Sequence, residues 1–414
     1  MAERLVVIGA GMAAGRLLEH LSDEAPGRYA ITLFNAEPCG TYNRIQLSPV
    51  LAGETGPETL VTHDDVWYAA RAIVCRFGER VLEIDRAAKV VQGENGPVSY
   101  DRLVIATGSH PVTLPLRGAD LAGVIAWRDH ADTDAMIAAA ASGARAVVVG
   151  GGLLGLEAAA GLRARGAEVT VVHRASHLMN RQIDAAAGFL LRKALTDRGI
   201  RVICGANSRE ILGENGHVRA LVLDDGTELP CELLVMAVGI RPASGLARAA
   251  GLTVNHGIIV DDGLATSDPA IFGLGECVEH DGELFGLVAP LYDQARVLAD
   301  RLMDRPAAFR PPVLSTRLKV TGCDIFSAGD FAPGETREEI VLSDPTRGAY
   351  RRLVIEEDRL VGAVFYGDSR DAGWFDALIR EGTDLRDLRQ TLIFGPADPV
   401  PEPQPYGGLC SLTA

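Results

Sequence analysis

The amino-acid sequence predicts an α/β chain: two doubly wound parallel-sheet domains followed by a small α+β domain. Three observations carry this. A strand, a glycine turn and a helix start succeed one another at Leu5–Arg16 (LVVIGAGMAAGR) and again at Ala146–Glu157 (AVVVGGGLLGLE). Each copy is followed by a second apolar strand, ITLFNAE up to Glu37 and EVTVVHR up to Arg174. From about residue 315 the composition shifts to short alternating strands and then a helix.

In the first copy, four apolar residues in a row read as a buried parallel strand. Gly9 permits the tight turn out of it. Gly11 lets a pyrophosphate approach the backbone, and Ala14 keeps the following helix close to the sheet. The helix N-terminus then offers unpaired N–H groups and a positive dipole end to an anion. Glu37, about 26 residues after Gly11, stands where an acid can take a ribose hydroxyl. In the second copy Gly150, Gly152 and Gly155 repeat the pattern. A lone turn of this kind also serves as plain structure; two in one chain point to two dinucleotides, one held and one visiting, and so to flavin–nicotinamide redox chemistry.

The length of 414 residues calls for two or three domains. A net charge of −15 argues against nucleic acid or an anionic membrane surface as a general partner. It leaves room for a local basic patch facing an acidic carrier. No apolar run reaches the length of a membrane span, and a strand begins within about four residues of Met1, with no signal-peptide pattern before it. The seven cysteines (39, 75, 204, 231, 277, 323 and 410) are scattered, without metal or iron–sulfur spacing. They read as reduced thiols of a cytoplasmic protein.

The expected organisation is a discontinuous first domain, 1–110 and 238–312, a second domain at 111–237, a third at 313–395 and a proline-rich tail at 396–414. The polar loop Pro38–Gly56 is expected to lack regular structure. Helices are expected at Thr59–Ala72, Asp129–Ser142, Gln182–Arg198 and Pro290–Met303, the last with Pro290 at its first position. Ser99–Gly108 reads as a buried strand with a small-residue turn.

Taken together, GAGMAA, the ATG turn at 106–108, GGGLLGLE at 150–157, AVGIRP at 237–242 and GLGE at 273–276 resemble the glutathione-reductase-like flavoprotein reductases, with two Rossmann-type domains. Tyr42–Ser48 (YNRIQLS), Gly286–Pro290 (GLVAP) and Ser315–Lys319 (STRLK) are similar to the flavin domain of bacterial NAD(P)H nitrite reductase and to the electron-transfer subunit of assimilatory nitrate reductase. Ferredoxin-reductase relatives carry a lysine after the Leu-Ser pair, where this chain has Pro49. The nitrite reductases continue into iron–sulfur and sirohaem domains. Here only Cys410 lies near the end, so electrons are expected to pass to a separate protein.

The resemblance implies an FAD site made by Gly9, Gly11, Ala14, Glu37 and the backbone at Val81. Arg44, Gln46, Leu47 and Ser48 would line the ring, Ala106, Thr107 and Gly108 would form the turn beside it, and Gly275 and Glu276 would face the ribityl chain. Val288 and Ala289, at a helix N-terminus, would sit near the N1–O2 edge, where the helix dipole favours negative charge. Gly150, Gly152, Leu154, Gly155 and Gly239 would hold NADH or NADPH. Glu157 would reach the flavin–nicotinamide contact, paired with Arg44, or would simply be an acid favoured by the helix dipole. Where an acid would choose NADH, the chain has His173 and Arg174, which leaves the coenzyme open. Cys39 falls outside the register of the single redox cysteine used by some relatives, which lies near Ile45. The leading reading is an FAD-containing NAD(P)H reductase delivering electrons to a nitrate or nitrite reductase. A ferredoxin or rubredoxin reductase or an NADH oxidase is the alternative of the same fold. A flavin protein whose redox state gates partner binding is the alternative of another class.

Overall fold

The computed structural model describes residues 2–311, 315–320 and 322–396. The tail beyond residue 396, Cys410 included, lies outside the described residues. Strand β1 (Glu3–Ile8) buries Leu5, Val6, Val7 and Ile8, which have no polar face to offer water. Helix α1 (Met12–Glu24) lays Ala14, Leu17, Leu18 and Leu21 against the sheet. The chain continues through β2 (Tyr29–Asn35), a short helix α2 (Leu47–Ala52), β3 (Val74–Phe77) and β4 (Arg102–Ile105). In register, Val7 lies opposite Leu33 on one side and Val104 on the other, all parallel.

A second sheet follows. It uses β5 (Val124–Ala126), helix α3 (His130–Ala141), β6 (Arg145–Val149), α4 (Leu153–Ala164), β7 (Glu168–His173), α5 (Ala185–Asp197), β8 (Ile200–Cys204) and β9 (Leu233–Met236). Its order is β8-β7-β6-β9-β5. Strand β10 (Ile271–Gly273) then pairs with β4, completing the first sheet as β10-β4-β1-β2-β3. Helix α6 (Val288–Leu302) packs on α1. Between the sheets, Ser109–Pro111 and Ile240–Pro242 form a two-stranded antiparallel link.

Five antiparallel strands make the last sheet: β11 (Ser315–Val320), β12 (Cys323–Gly329), β13 (Glu338–Asp344), β14 (Ala349–Glu356) and β15 (Arg359–Tyr366), in the order β11-β12-β15-β14-β13. Helix α7 (Ala372–Glu381) covers it through Phe375 and Leu378. This unit is pinned to the second sheet. Tyr350 donates to Asp184 at 2.6 Å, and Arg352 pairs with the same carboxylate at 3.3 Å and with Glu339 at 2.6 Å.

Several local expectations differ. The loop 38–56 is not irregular: a 3-10 turn (Arg44–Gln46) runs into α2, which Gly53 ends in the left-handed conformation. Buried Leu47, Val50 and Leu51 drive it, outweighing the polar flanks. The helix expected at 59–72 is broken into Pro57–Leu60 and Asp65–Ala70, because Val61 is extended and Asp64 caps a fresh start at the Trp67 N–H. Ser99–Gly108 divides at a turn, Ser99 closing a three-stranded antiparallel sheet before β4 begins at Arg102. Helix α6 starts at Val288, two residues before Pro290, which occupies its third position. The missing N–H is harmless there, since it would lack an intrahelical partner in any case. Helix α3 has the capping box of Asp129 and Asp132, and Asp184 caps α5.

Candidate functional site

The two glycine turns are built by the same hydrogen bonds. Gly9 N–H donates to Phe34 O at 2.8 Å, and Gly150 N–H to Val172 O at 2.8 Å. Ala106 N–H donates to Ile8 O, and Ala237 N–H to Val149 O, each at 2.8 Å. Gly9 and Gly150 have φ of +106° and +123°, and a Cβ on either would lie 2.3 Å from Ala106 O or 2.1 Å from Ala237 O. Only glycine fits. Gly11 and Gly152 are the N-caps of α1 and α4, in extended conformation and without a capping side chain. A Cβ there meets nothing within 4 Å. Each helix start therefore opens onto free space, with its first N–H groups unsatisfied and no acid in its first turn. Helix packing fixes the third position of each turn. Ala14 is fully buried, and a Cβ on Gly155 would lie 2.0 Å from Gly150 O.

Around the first turn converge the ends of β1, β2, β4 and β10. At the end of β2, Glu37 accepts from Tyr42 at 2.8 Å and from Arg44. Arg44 also lies over the Tyr42 ring, 4.7 Å from its centroid, and donates to Arg128 O at 3.0 Å. Gly78 N–H donates to Glu37 O, which lays the segment leading to Val81 beside the same strand end. Val81 itself starts a strand and is half-buried. After β4, Thr107 donates to Ala243 O at 2.7 Å and Gly108 O accepts from Ala243 N–H at 2.9 Å. After β10, Glu276 accepts from Ser109 at 2.7 Å and pairs with Arg128. Arg128 also lies 3.7 Å from the point where a Gly108 Cβ would stand. Gly275, with φ of +89°, donates its N–H to Gln294 of α6 at 2.9 Å. Gln294 is fully buried, yet its Nε2 lacks a hydrogen-bond partner among the described residues. The N-terminus of α6, at Val288 and Ala289, has no acid in its first turn and no capping side chain.

Gln46 is half-buried and ends the 3-10 turn, while Leu47 is buried in α2. Ser48 donates to Glu157 of α4 at 2.6 Å. That bond corrects one expectation: Glu157 is not paired with Arg44, whose reach is taken up by Glu37 and the Arg128 carbonyl. Burial pushes the Glu157 carboxyl above its ordinary value, and the Ser48 hydroxyl offsets this only in part. At the second turn, Leu154 is part-exposed and Gly239, at φ of +121°, has open space on its Cβ side. His173 turns back under the glycines: its Nδ1 accepts the Gly151 N–H at 3.0 Å. Arg174 is exposed. Cys39 is half-buried, its thiol pushed up by burial and by Glu37. Among the described residues, no group of His, Cys, Asp and Glu side chains could hold a metal ion.

Paired turns of the same construction, each opening at a strand's carboxyl end, match a family model described as pyridine nucleotide-disulphide oxidoreductase over residues 3–303. The chain belongs to this family. Residues 315–383 match a second model, the rubredoxin NAD+ reductase C-terminal domain. The chain is 42% identical over 396 residues to a nitrite reductase [NAD(P)H] of Bacillus subtilis, covering 95% of this chain and 49% of that protein. It is 38% identical to an assimilatory nitrate reductase electron transfer subunit of the same organism, covering 89% and 48%. The chain thus spans about half the length of these curated relatives. Among solved structures, a ferredoxin reductase from Rhodopseudomonas palustris superposes with a TM-score of 0.81 at 28% identity, covering 90% of this chain and 93% of that one. The chain shares this family's mixed α/β fold, and the family is one of FAD-binding, NAD(P)H-dependent oxidoreductases. No helix among the described residues is long and apolar enough to cross a membrane.

The residues fit the two groups. The open space at Gly11 and Gly152 suits a diphosphate against each helix end, and the orphaned Gln294 donor suits a polar ligand beside Gly275. Four groups that contact the candidate residues Glu37, Glu276 and Gly275 were missed in the sequence: Ser109, Arg128, Gln294 and the hydroxyl of Tyr42. Ser109 directly follows the ATG turn, which is a signal of sorts. Arg128 and Gln294 lie inside ordinary-looking segments and carry none.

Proposed function

We propose that the chain takes electrons from NAD(P)H onto FAD and passes them to a separate acceptor protein, a component of assimilatory nitrate or nitrite reduction. The observation that carries this is the duplicate turn: two helix ends with the same hydrogen bonds and the same empty approach at Gly11 and Gly152. The similarity to a nitrite reductase and to a nitrate reductase electron transfer subunit supports the choice of acceptor. Bound FAD supplies a two-electron acceptor that can release electrons singly.

The protein's part is placement. Gly9, Gly11 and Ala14 bring α1 against the flavin's diphosphate, and Glu37 and the Val81 backbone take the adenosine end. Arg44, Gln46, Leu47, Ser48, Ala106, Thr107 and Gly108 wall the ring side. Gly275 and Glu276 face the ribityl chain, and Val288 and Ala289 present a helix end to developing negative charge. Gly150, Gly152, Leu154, Gly155 and Gly239 seat the nicotinamide nucleotide, with Glu157 at the seam and His173 and Arg174 at the adenosine end. Arg44 and Glu157 are the two residues assigned to the contact between the two cofactors. The domain limits that follow are 1–110 with 238–312 for FAD, 111–237 for NAD(P)H and 313–395 for the small domain.

A second reading draws on the match of residues 315–383 to the rubredoxin reductase domain and on the near full-length likeness to a ferredoxin reductase: the acceptor would be a ferredoxin- or rubredoxin-like carrier. Steady-state NAD(P)H oxidation by the FAD-loaded chain decides between them. Rapid turnover with an assimilatory nitrate reductase, and slow turnover with ferredoxin, rubredoxin and oxygen, supports the first. The reverse order overturns it.

A further inference from the structure

We propose that the second turn selects a 2′-phosphorylated adenosine, so that NADPH is the coenzyme, with Arg174 and Arg181 as the selecting residues. This rests on the nicotinamide reading above. An NADH-selective turn of this kind places a carboxylate at the end of its second strand, where it accepts from the ribose 2′-hydroxyl. Here that place holds His173, and both its ring nitrogens are engaged. Nδ1 accepts the Gly151 N–H at 3.0 Å, so in the neutral ring Nε2 carries the hydrogen and meets Asn180 Oδ1 at 3.1 Å. Burial, aided by the neighbouring Arg174 guanidinium, holds the imidazole below its ordinary value, which keeps it neutral. Neither ring nitrogen is left to accept from a hydroxyl.

Each member of the His173–Asn180 contact has an arginine as its chain neighbour. Arg174 and Arg181 are both exposed, and neither forms a hydrogen bond or ion pair among the described residues. The segment carrying Arg181 is held against the glycine turn by Met179 N–H donating to Gly151 O at 2.8 Å. Between His173 and Asp184 the only acid is Asp184 itself. It is consumed by capping α5 and by Tyr350 and Arg352. In a chain of net charge −15, this rim keeps two uncompensated guanidinium groups beside the strand end that meets the adenosine ribose. A guanidinium fork matches a phosphomonoester in shape and charge.

The test is equilibrium binding to the FAD-loaded chain by calorimetry, with NADP+ against NAD+ and 2′,5′-ADP against 5′-AMP. NADP+ and 2′,5′-ADP bind at least about tenfold tighter than their unphosphorylated counterparts. The preference shrinks as salt rises, because the two arginines are exposed. Arg174→Ala and Arg181→Ala each reduce the preference several-fold, and together they bring it near parity, with NADP+ affinity falling more than NAD+ affinity. Equal affinity of wild-type protein for NADP+ and NAD+, or a preference for NAD+, overturns this inference and leaves the nicotinamide reading intact. Binding of none of the four ligands overturns both.

Discussion

Replacing Gly152 with alanine separates the holding of a ligand from the holding of the fold. Gly152 has φ of −85° and ψ of −177°, extended backbone that alanine adopts freely, and the added methyl would meet no protein atom within 4 Å. Alanine is a poorer N-cap than glycine, by under about 1 kcal/mol. It also restricts the unfolded chain, which returns about 0.4–1 kcal/mol. The two nearly cancel, so Tm is expected to move by no more than about 3 °C. The methyl does occupy the approach to the first N–H groups of α4. Losing one charge-assisted hydrogen bond there, at about 1.5–3 kcal/mol, predicts NADP+ binding weaker by roughly tenfold to a little over a hundredfold. Calorimetric titration beside a melting curve reads both quantities. A G152A protein that melts normally and binds the nucleotide as tightly as wild type would refute the placement of the pyrophosphate.

Gly150→Ala, two residues away, should behave in the opposite way. Its Cβ would lie 2.1 Å from Ala237 O at a φ of +123°, so the variant is expected to lose several kcal/mol, seen as a shifted denaturant midpoint before any ligand is added. Arg128→Ala leaves the Glu276 carboxylate with Ser109 alone, and should destabilise by about 1–3 kcal/mol and weaken FAD retention on dialysis. Glu157→Gln should flatten part of the stability–pH curve. The folded state holds the Glu157 proton above its ordinary value of 4.5, so wild-type stability is lost as pH rises from there through the folded value. Urea midpoints measured on both sides of that range should fall less in the variant, and more in Ser48→Ala, which lacks the offsetting hydrogen bond. Cys39→Ala should leave the rate of flavin reduction by NADPH within about twofold in stopped flow, since burial and Glu37 hold that thiol protonated.

The parts of this molecule that repeat a backbone pattern were legible from residues alone. Gly9, Gly11, Gly150 and Gly152 announce themselves by their spacing: turn geometry admits no other residue at the first of each pair, and the second of each pair faces open space. The buried strands Leu5–Ile8 and Ala146–Val149 were equally plain, having no polar face. Long-range side-chain pairing was not legible. The family resemblance makes Arg44 and Glu157 partners because it puts both near one ligand. Yet Glu37, seven residues before Arg44, lies closer in the fold, and Ser48 reaches α4 only because α2 exists. That helix was hidden by the polar residues around a short apolar run. Arg128 and Gln294 were invisible for a related reason: their roles depend on where β10 and α6 come back to the first sheet, a meeting separated by well over a hundred residues from Arg128.

The central claim is that one helix end grips a bound flavin nucleotide and the other a visiting pyridine nucleotide within electron-transfer reach. Anaerobic titration of the FAD-loaded chain with NADPH, followed in the visible spectrum, tests it most directly. The account predicts one tightly retained FAD per chain, bleached by a single equivalent of NADPH. A chain that retains no flavin after refolding with excess FAD, or whose bound flavin stays oxidised with both NADPH and NADH, would contradict it.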